Sequence, residues 1–118
     1  MKLAYVSVEL SGSIPIARVE GEIDLSNVEE TRDSLLAAVT SAPGLVLDLS
    51  RIAYLDSAGV RLLFDLGRRL HERGQRLVVV VPDEAPTGRV LDVARVAAAV
   101  EIRSDVTAAL AAIGHSTS

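Results

Sequence analysis

A serine stands between an aspartate and an alanine-glycine pair at Asp56-Ser57-Ala58-Gly59. The aliphatic run Leu45-Val46-Leu47-Asp48-Leu49 precedes it, and a long amphipathic segment begins at Val60. This order puts the Ser57 hydroxyl where a buried strand's connection meets the first turn of a helix. Such a position offers free backbone N–H groups and the positive end of a helix dipole. A serine there can cap the helix, act as a nucleophile or accept a phosphate.

The nucleophile is the most demanding of the three. A nucleophile elbow carries glycine two residues before and two after its serine. Gly59 fits the second position, but Leu55 stands at the first. The histidines are His71, about four turns down the same helix, and His115 near the end of the sequence. Neither is placed to reach Ser57. No His-x-x-x-His pair occurs, and the acidic residues do not cluster with histidine, so no metal site is expected. Glu29-Glu30 and Asp83-Glu84 read as carboxylates of helix first turns. No phosphate-binding glycine loop is present and Lys2 is the only lysine, so nucleotide hydrolysis is not expected. The expectation is a protein that is not an enzyme and uses no cofactor. Capping is the plain alternative for Ser57, and Asp56 fills that role as well. One of the two can cap while the other stays available.

The elements that must hold this site fit one domain over residues 3–113, with a polar tail at 114–118. The aromatic residues are Phe64, Tyr5 and Tyr54, so the core must be aliphatic. The absence of cysteine excludes a disulfide scaffold, a thiolate metal site and a cysteine nucleophile, and it fits a reducing compartment. Met1-Lys2-Leu3-Ala4-Tyr5 lacks the apolar core of a signal peptide, and no apolar run approaches membrane-spanning length. The expected location is the cytoplasm, away from the membrane. Net charge is −4, and the arginines are scattered without a basic block or an aromatic stacking set. Direct nucleic-acid binding is therefore disfavoured.

Period-2 alternation predicts strands at Leu3–Leu10 and Ile14–Glu20, joined by a Ser11-Gly12-Ser13 turn. Pro15 suits an edge or a strand start. Ser26 and Glu29 form a capping-box pattern, opening a helix with Val28, Thr31, Leu35 and Val39 on one face. Pro43-Gly44 ends that region. Leu45–Leu49 reads as a strand buried on both faces. The second helix is predicted from Ser57 to Arg73, with Val60, Leu63, Phe64, Gly67 and Leu70 as its core stripe. Gly67 lets this helix approach the sheet closely, and Gly74 stops it. Arg61–Asp65, Asp65–Arg69 and Arg68–Glu72 are opposite-charge pairs along its solvated face. A strand at Leu77–Val81, a helix at Pro86–Val93, a short strand at Val100–Ile102 and a helix at Asp105–Ile113 capped by Ser104 complete the order. The class is α/β: a mixed sheet, an N-terminal hairpin plus parallel strands, with about four helices.

These residues resemble a known family. Leu47-Asp48-Leu49-Ser50, then Leu55-Asp56-Ser57-Ala58-Gly59-Val60, then Gly74-Gln75-Arg76-Leu77-Val78 are similar to the STAS domain of bacterial anti-sigma factor antagonists. Val19-Glu20-Gly21-Glu22-Ile23-Asp24 resembles that family's strand-to-helix segment, G-E-[LI]-D. The resemblance covers about residues 3 to 113. It implies a phosphoswitch. The unphosphorylated antagonist binds an anti-sigma factor that is also a serine kinase, and this frees the sigma factor. Phosphorylation of the serine breaks the complex, and a phosphoserine phosphatase restores it. On this sequence the resemblance makes Ser57 the phospho-acceptor, Asp56 its acidic neighbour and Asp24 a residue of the same rim.

The implied partner surface comprises Asp24, Ser26, Asn27, Asp56, Ser57, Ala58, Gly59, Arg61 and Leu62. Leu62 lies off the core stripe, as an exposed apolar anchor or as a flank of the core. Arg61 either pairs with Asp65 or faces the partner. Two departures stand out: residues 93–99 lack the family's glycine-containing turn, and Ala58 replaces a second hydroxyl. A phosphate on Ser57 adds roughly −1.5 to −2 charges. The helix N-terminus would hold it, while Asp24 and Asp56 repel it, so the expected switch is local. Two other readings stay open. One is a STAS scaffold in another partner-switching pathway. The other is a small-anion- or nucleotide-binding or hydrolytic α/β domain using Ser57. The expected state is a monomer or weak dimer.

Overall fold

In the computed structural model, which describes residues 4–83 and 100–115, the alternating segments become five strands and the longer periodic ones three helices. In chain order these are β1 (Ala4–Ser11), β2 (Ile14–Ile23), α1 (Val28–Ala38), β3 (Gly44–Leu55), α2 (Ser57–Glu72), β4 (Arg76–Val80), β5 (Glu101–Arg103) and α3 (Val106–His115). They form one sheet of order β1-β2-β3-β4-β5. The β1–β2 pair is antiparallel and every later pair is parallel. This is the predicted mixed α/β sheet with its N-terminal hairpin. The helix expected at Pro86–Val93 and the glycine-free stretch 93–99 lie outside the described residues.

The hairpin turns at Gly12, whose φ of 61° is the left-handed conformation that glycine adopts without strain. Pro15 sits at the start of β2, but β2 is not an edge. Its ladder to β3 begins one residue later, at Ile16↔Val46, so the missing N–H costs no bond there.

Period-2 alternation gives the sheet two apolar faces. Ala17, Val19, Leu45, Leu47 and Val79 pack with Leu35 of α1 and Leu63, Leu66 and Leu70 of α2. Ile16, Val46, Val78 and Val80 pack with Ala109 and Ile113 of α3. Cover on both faces explains why the central strands read as continuous aliphatic runs.

Three elements differ from their sequence reading. First, β3 does not end near Leu49 but runs on to Leu55. Because β2 itself extends to Ile23, Glu20↔Arg51, Gly21↔Ile52 and Ile23↔Leu55 prolong the ladder through two register shifts. Second, the core stripe of α2 is Gly59, Val60, Leu62, Leu63, Leu66 and Leu70. Phe64 is 39% exposed. A Cβ on Gly67 would meet Val100 Cγ2 at an ordinary 3.6 Å, so that position does not demand glycine. The close approach is at Gly59, where a Cβ would lie 2.3 Å from Leu55 Cδ1. Third, α3 is capped by Asp105 and not Ser104: Ala108 N donates to Asp105 Oδ1 at 2.7 Å. This helix continues through Gly114 to His115. Gly74, with φ of 72°, follows α2 as predicted. The next residue, Gln75, reaches back to donate from Nε2 to Val39 O (2.7 Å) and Ala42 O (2.8 Å) beyond α1.

Candidate functional site

The parallel pairing of β2 with β3 ends at Ile23↔Leu55. Asp24 and Asp56 therefore leave adjacent strands at the same end of the sheet. Asp56 N donates to Ile23 O at 3.3 Å, joining the two exits.

At the start of α2, Asp56 is extended (φ −92°, ψ −171°), the usual conformation of an N-cap. Its Oδ1 accepts from Ala58 N at 2.9 Å and from Gly59 N at 3.1 Å. Its carbonyl accepts from Val60 N at 3.0 Å. Asp56 thus does the capping, and Ser57 is left as the exposed first residue of the helix. Among the described residues the Ser57 hydroxyl has no hydrogen-bond partner. The same geometry corrects one expectation: most first-turn N–H groups that were to hold a phosphate are already taken by Asp56.

The start of α1 is built differently. Asp24 Oδ1 accepts from both the backbone N–H (2.9 Å) and the hydroxyl of Ser26. Asn27 Oδ1 accepts from Asp24 N at 3.1 Å, and its Nδ2 donates to Glu22 O at 2.8 Å. The predicted capping box of Ser26 and Glu29 does not form. Asn27 is the N-cap residue, and its side chain ties the loop back to β2 instead of capping the helix. Asn27 is 7% exposed, so its side chain lies largely beneath the rim.

Two further members of the implied partner surface also face inward. Leu62 is 3% exposed and packs in the core, which settles it as a flank of that core and removes it as an apolar anchor. Gly59 is buried against Leu55 and Ile23. Ser26, Ser57 and Arg61 are exposed, while Asp24, Asp56 and Ala58 are half-buried.

The predicted Arg61–Asp65 pair is absent. Asp65 instead takes Arg68 (2.7 Å) and Arg69 (2.9 Å), and Arg68 also reaches Glu72 at 3.5 Å. The partial burial of Asp65 alone would raise its pKa. The hydrogen bonds from Arg69 and Arg68 outweigh that and hold the carboxyl below its ordinary value. Among the described residues, no carboxylate lies within ion-pair reach of Arg61. Ser57, Arg61 and Phe64 recur at i, i+4 and i+7, so they form one exposed face of α2.

Leu25 was missed by the sequence reading. It is 80% exposed, between Asp24 and Ser26. Continued alternation from Ile23 would have buried it, but the strand stops at Ile23. An aliphatic residue just past a strand end, flanked by turn formers, was the available signal. Leu25 thus supplies an exposed apolar side chain at this rim, and Phe64 one about two turns along α2. Among the described residues no group of three or more histidine or carboxylate side chains could hold a metal, and no helix is long and apolar enough to cross a membrane.

A hairpin leading into parallel strands, helices on both faces and two aspartate-led helix starts at one end together define a STAS fold. The family model described as "Mlab, STAS domain" matches residues 6–104, and the chain belongs to this family. Solved structures agree. An anti-sigma factor antagonist from Mycobacterium paratuberculosis is 25% identical, with 94% of each chain covered and a TM-score of 0.83. RsbS from Moorella thermoacetica, in a form carrying a serine-to-glutamate substitution, is 17% identical. There 95% of this chain and 97% of that one are covered, with a TM-score of 0.76. The Bacillus cell fate determinant SpoIIAA in its phosphorylated form is 21% identical, with 88% and 96% covered and a TM-score of 0.62.

Proposed function

We propose that this chain is an anti-sigma factor antagonist that works by partner switching, with Ser57 as the residue that is phosphorylated. The observation that carries the reading is the division of labour at α2. Asp56 satisfies the helix start alone, so the Ser57 hydroxyl is exposed and uncommitted. The similarity to an antagonist over nearly the whole chain supports the partner class. The unphosphorylated form binds an anti-sigma factor with serine kinase activity, frees the sigma factor, and is regenerated by a phosphoserine phosphatase. The module itself is non-catalytic and cytoplasmic.

The mechanism follows from the rim. Because Asp56 occupies the Ala58 and Gly59 N–H groups, the helix start offers few free donors to a phosphate on Ser57. That phosphate projects beside Asp56 and Asp24 and turns a mildly acidic rim into a strongly acidic one. A like-charge clash across an interface costs several kcal/mol, which is orders of magnitude in affinity. The occupied N–H groups also speak against an anion- or nucleotide-binding domain. A second reading, a STAS module in another partner-switching pathway, draws on the family model, whose description names no sigma-factor role.

The test is to incubate the protein with anti-sigma kinases and ATP, then read intact mass and complex formation. Wild type gains one phosphate and Ser57→Ala gains none. Ser57→Asp binds the kinase far more weakly than wild type. A wild type that gains no phosphate from any kinase it binds overturns the phosphoswitch. Full affinity in Ser57→Asp overturns the charge mechanism.

A further inference from the structure

The two edges of the sheet are unlike. β5 is three residues long and two of them are charged; Glu101 is bound by Arg76 and Arg103. That is a blunted edge. β1 is eight residues long and pairs with β2 without interruption from Ala4↔Gly21 to Ser11↔Ile14. It has no bulge, proline or lysine, and its one charge, Glu9, is engaged by Arg18. Among the described residues no strand occupies its outer side. Alternate N–H and C=O groups along that side therefore lack a ladder partner. The strand also displays Tyr5 (63% exposed), Val8 (47%) and Leu10 (71%).

We propose that the outer edge of β1 pairs antiparallel with β1 of a second copy of this chain, joining two sheets across a two-fold axis at Val8. Self-complementarity selects this partner and this register. Val6, Val8 and Leu10 share one face of the strand. Centred on Val8, the pairing puts Val8 opposite Val8 and Val6 opposite Leu10, so both exposed aliphatic side chains on this face meet aliphatic ones. Ser7 falls opposite Glu9 and no like charges meet. A centre at Glu9 would oppose two carboxylates, which is destabilising, and a centre at Ser7 would set Tyr5 against Glu9. Val8 lies beside Ala17 of β2, six residues of strand from Ile23, roughly 20 Å from the Ser57 rim at about 3.3 Å per residue. The two-fold axis therefore lies well away from both Ser57 sites.

Sedimentation equilibrium on the full chain, from about 10 μM to about 1 mM, tests this, since a single strand pair without a large buried core gives weak association. A reversible monomer–dimer equilibrium is expected. Val8→Lys, which opposes two ammonium groups at the axis, lowers the association constant at least about tenfold. The chain has no cysteine, so single cysteines report the register. Directly opposed residues in an antiparallel pair lie about 4.5–5.5 Å apart at Cα, within disulfide reach. Val8→Cys gives a disulfide-linked dimer under mild oxidant. Tyr5→Cys, whose opposite residue is Ser11, does not. A wild type that stays monomeric throughout, as it would if the edge serves a strand of another protein, overturns the proposal. So does a dimer that Val8→Lys leaves unchanged, or Tyr5→Cys crosslinking as readily as Val8→Cys. If Val8→Lys fails to fold, the cysteine pair still decides.

Discussion

The starts of α1 and α2 are two solutions to one problem. Each helix follows a parallel strand, each strand exits at an aspartate, and each turn contains a serine. At α1, Asp24 holds the hydroxyl of Ser26, and the buried side chain of Asn27 pins the turn to β2. At α2, Asp56 takes two backbone N–H groups, and among the described residues the Ser57 hydroxyl has no partner. The same residue types thus give one serine engaged in the turn and one left exposed. The hydroxyl here is left exposed because the capping duty falls to its neighbour Asp56.

The contrast can be stressed residue by residue. Gly59→Ala has the largest expected effect. Its Cβ would strike Leu55, costing about 3 kcal/mol by overpacking, measured as a drop in the urea unfolding free energy. Asn27→Ala comes next, at about 2 kcal/mol, because Asp24 N and Glu22 O each lose a buried partner. Asp56→Ala costs about 1 kcal/mol, the usual value of a lost N-cap. If Asp56→Ala proves costlier than Asn27→Ala, the view of α1 as the more heavily braced start fails.

A smaller effect separates the helices by pH. The two arginines on Asp65 depress its pKa below the ordinary 3.8. The stabilisation is therefore complete above that value and is lost as pH falls through the depressed one. Its size is at most about 0.5 kcal/mol after solvent screening. Comparing Asp65→Asn with wild type should show a constant stability gap at neutral pH that closes in acid. Among the described residues α1 carries only Arg32–Asp33 at 3.5 Å, and Asp33→Asn should show no such gap. The smallest effect is expected at the serine itself. Ser57→Ala changes stability by less than about 0.5 kcal/mol, as surface substitutions do, so any loss of function it causes reflects the hydroxyl alone.

Much of this was legible in the sequence. The hairpin, the mixed sheet and the Asp56–Ser57 helix start follow from alternation, turn residues and capping chemistry, all of which are local. What was not legible depends on pairing between distant segments. β3 continues to Leu55 because β2 supplies a partner as far as Ile23. Leu62 is buried because α2 packs on the sheet with a wider face than a single stripe. Ser26 and Glu29 match a capping box, yet Asn27 and Asp24 make a different set of bonds that only the fold brings into reach. Leu25 is exposed because the strand stops at Ile23, two residues before the position that alternation would have turned inward.

The bonds from Gln75 to Val39 and Ala42 span 36 and 33 residues of chain. They order events in time. The carbonyls behind α1 cannot gain this partner until β3 and α2 have formed and the chain has turned at Gly74. Closing so long a loop is slow relative to helix growth. The last turn of α1 should therefore be a late feature on the folding route and an early one to open, with its amide exchange tracking the docking of β4 and not the helicity of α1.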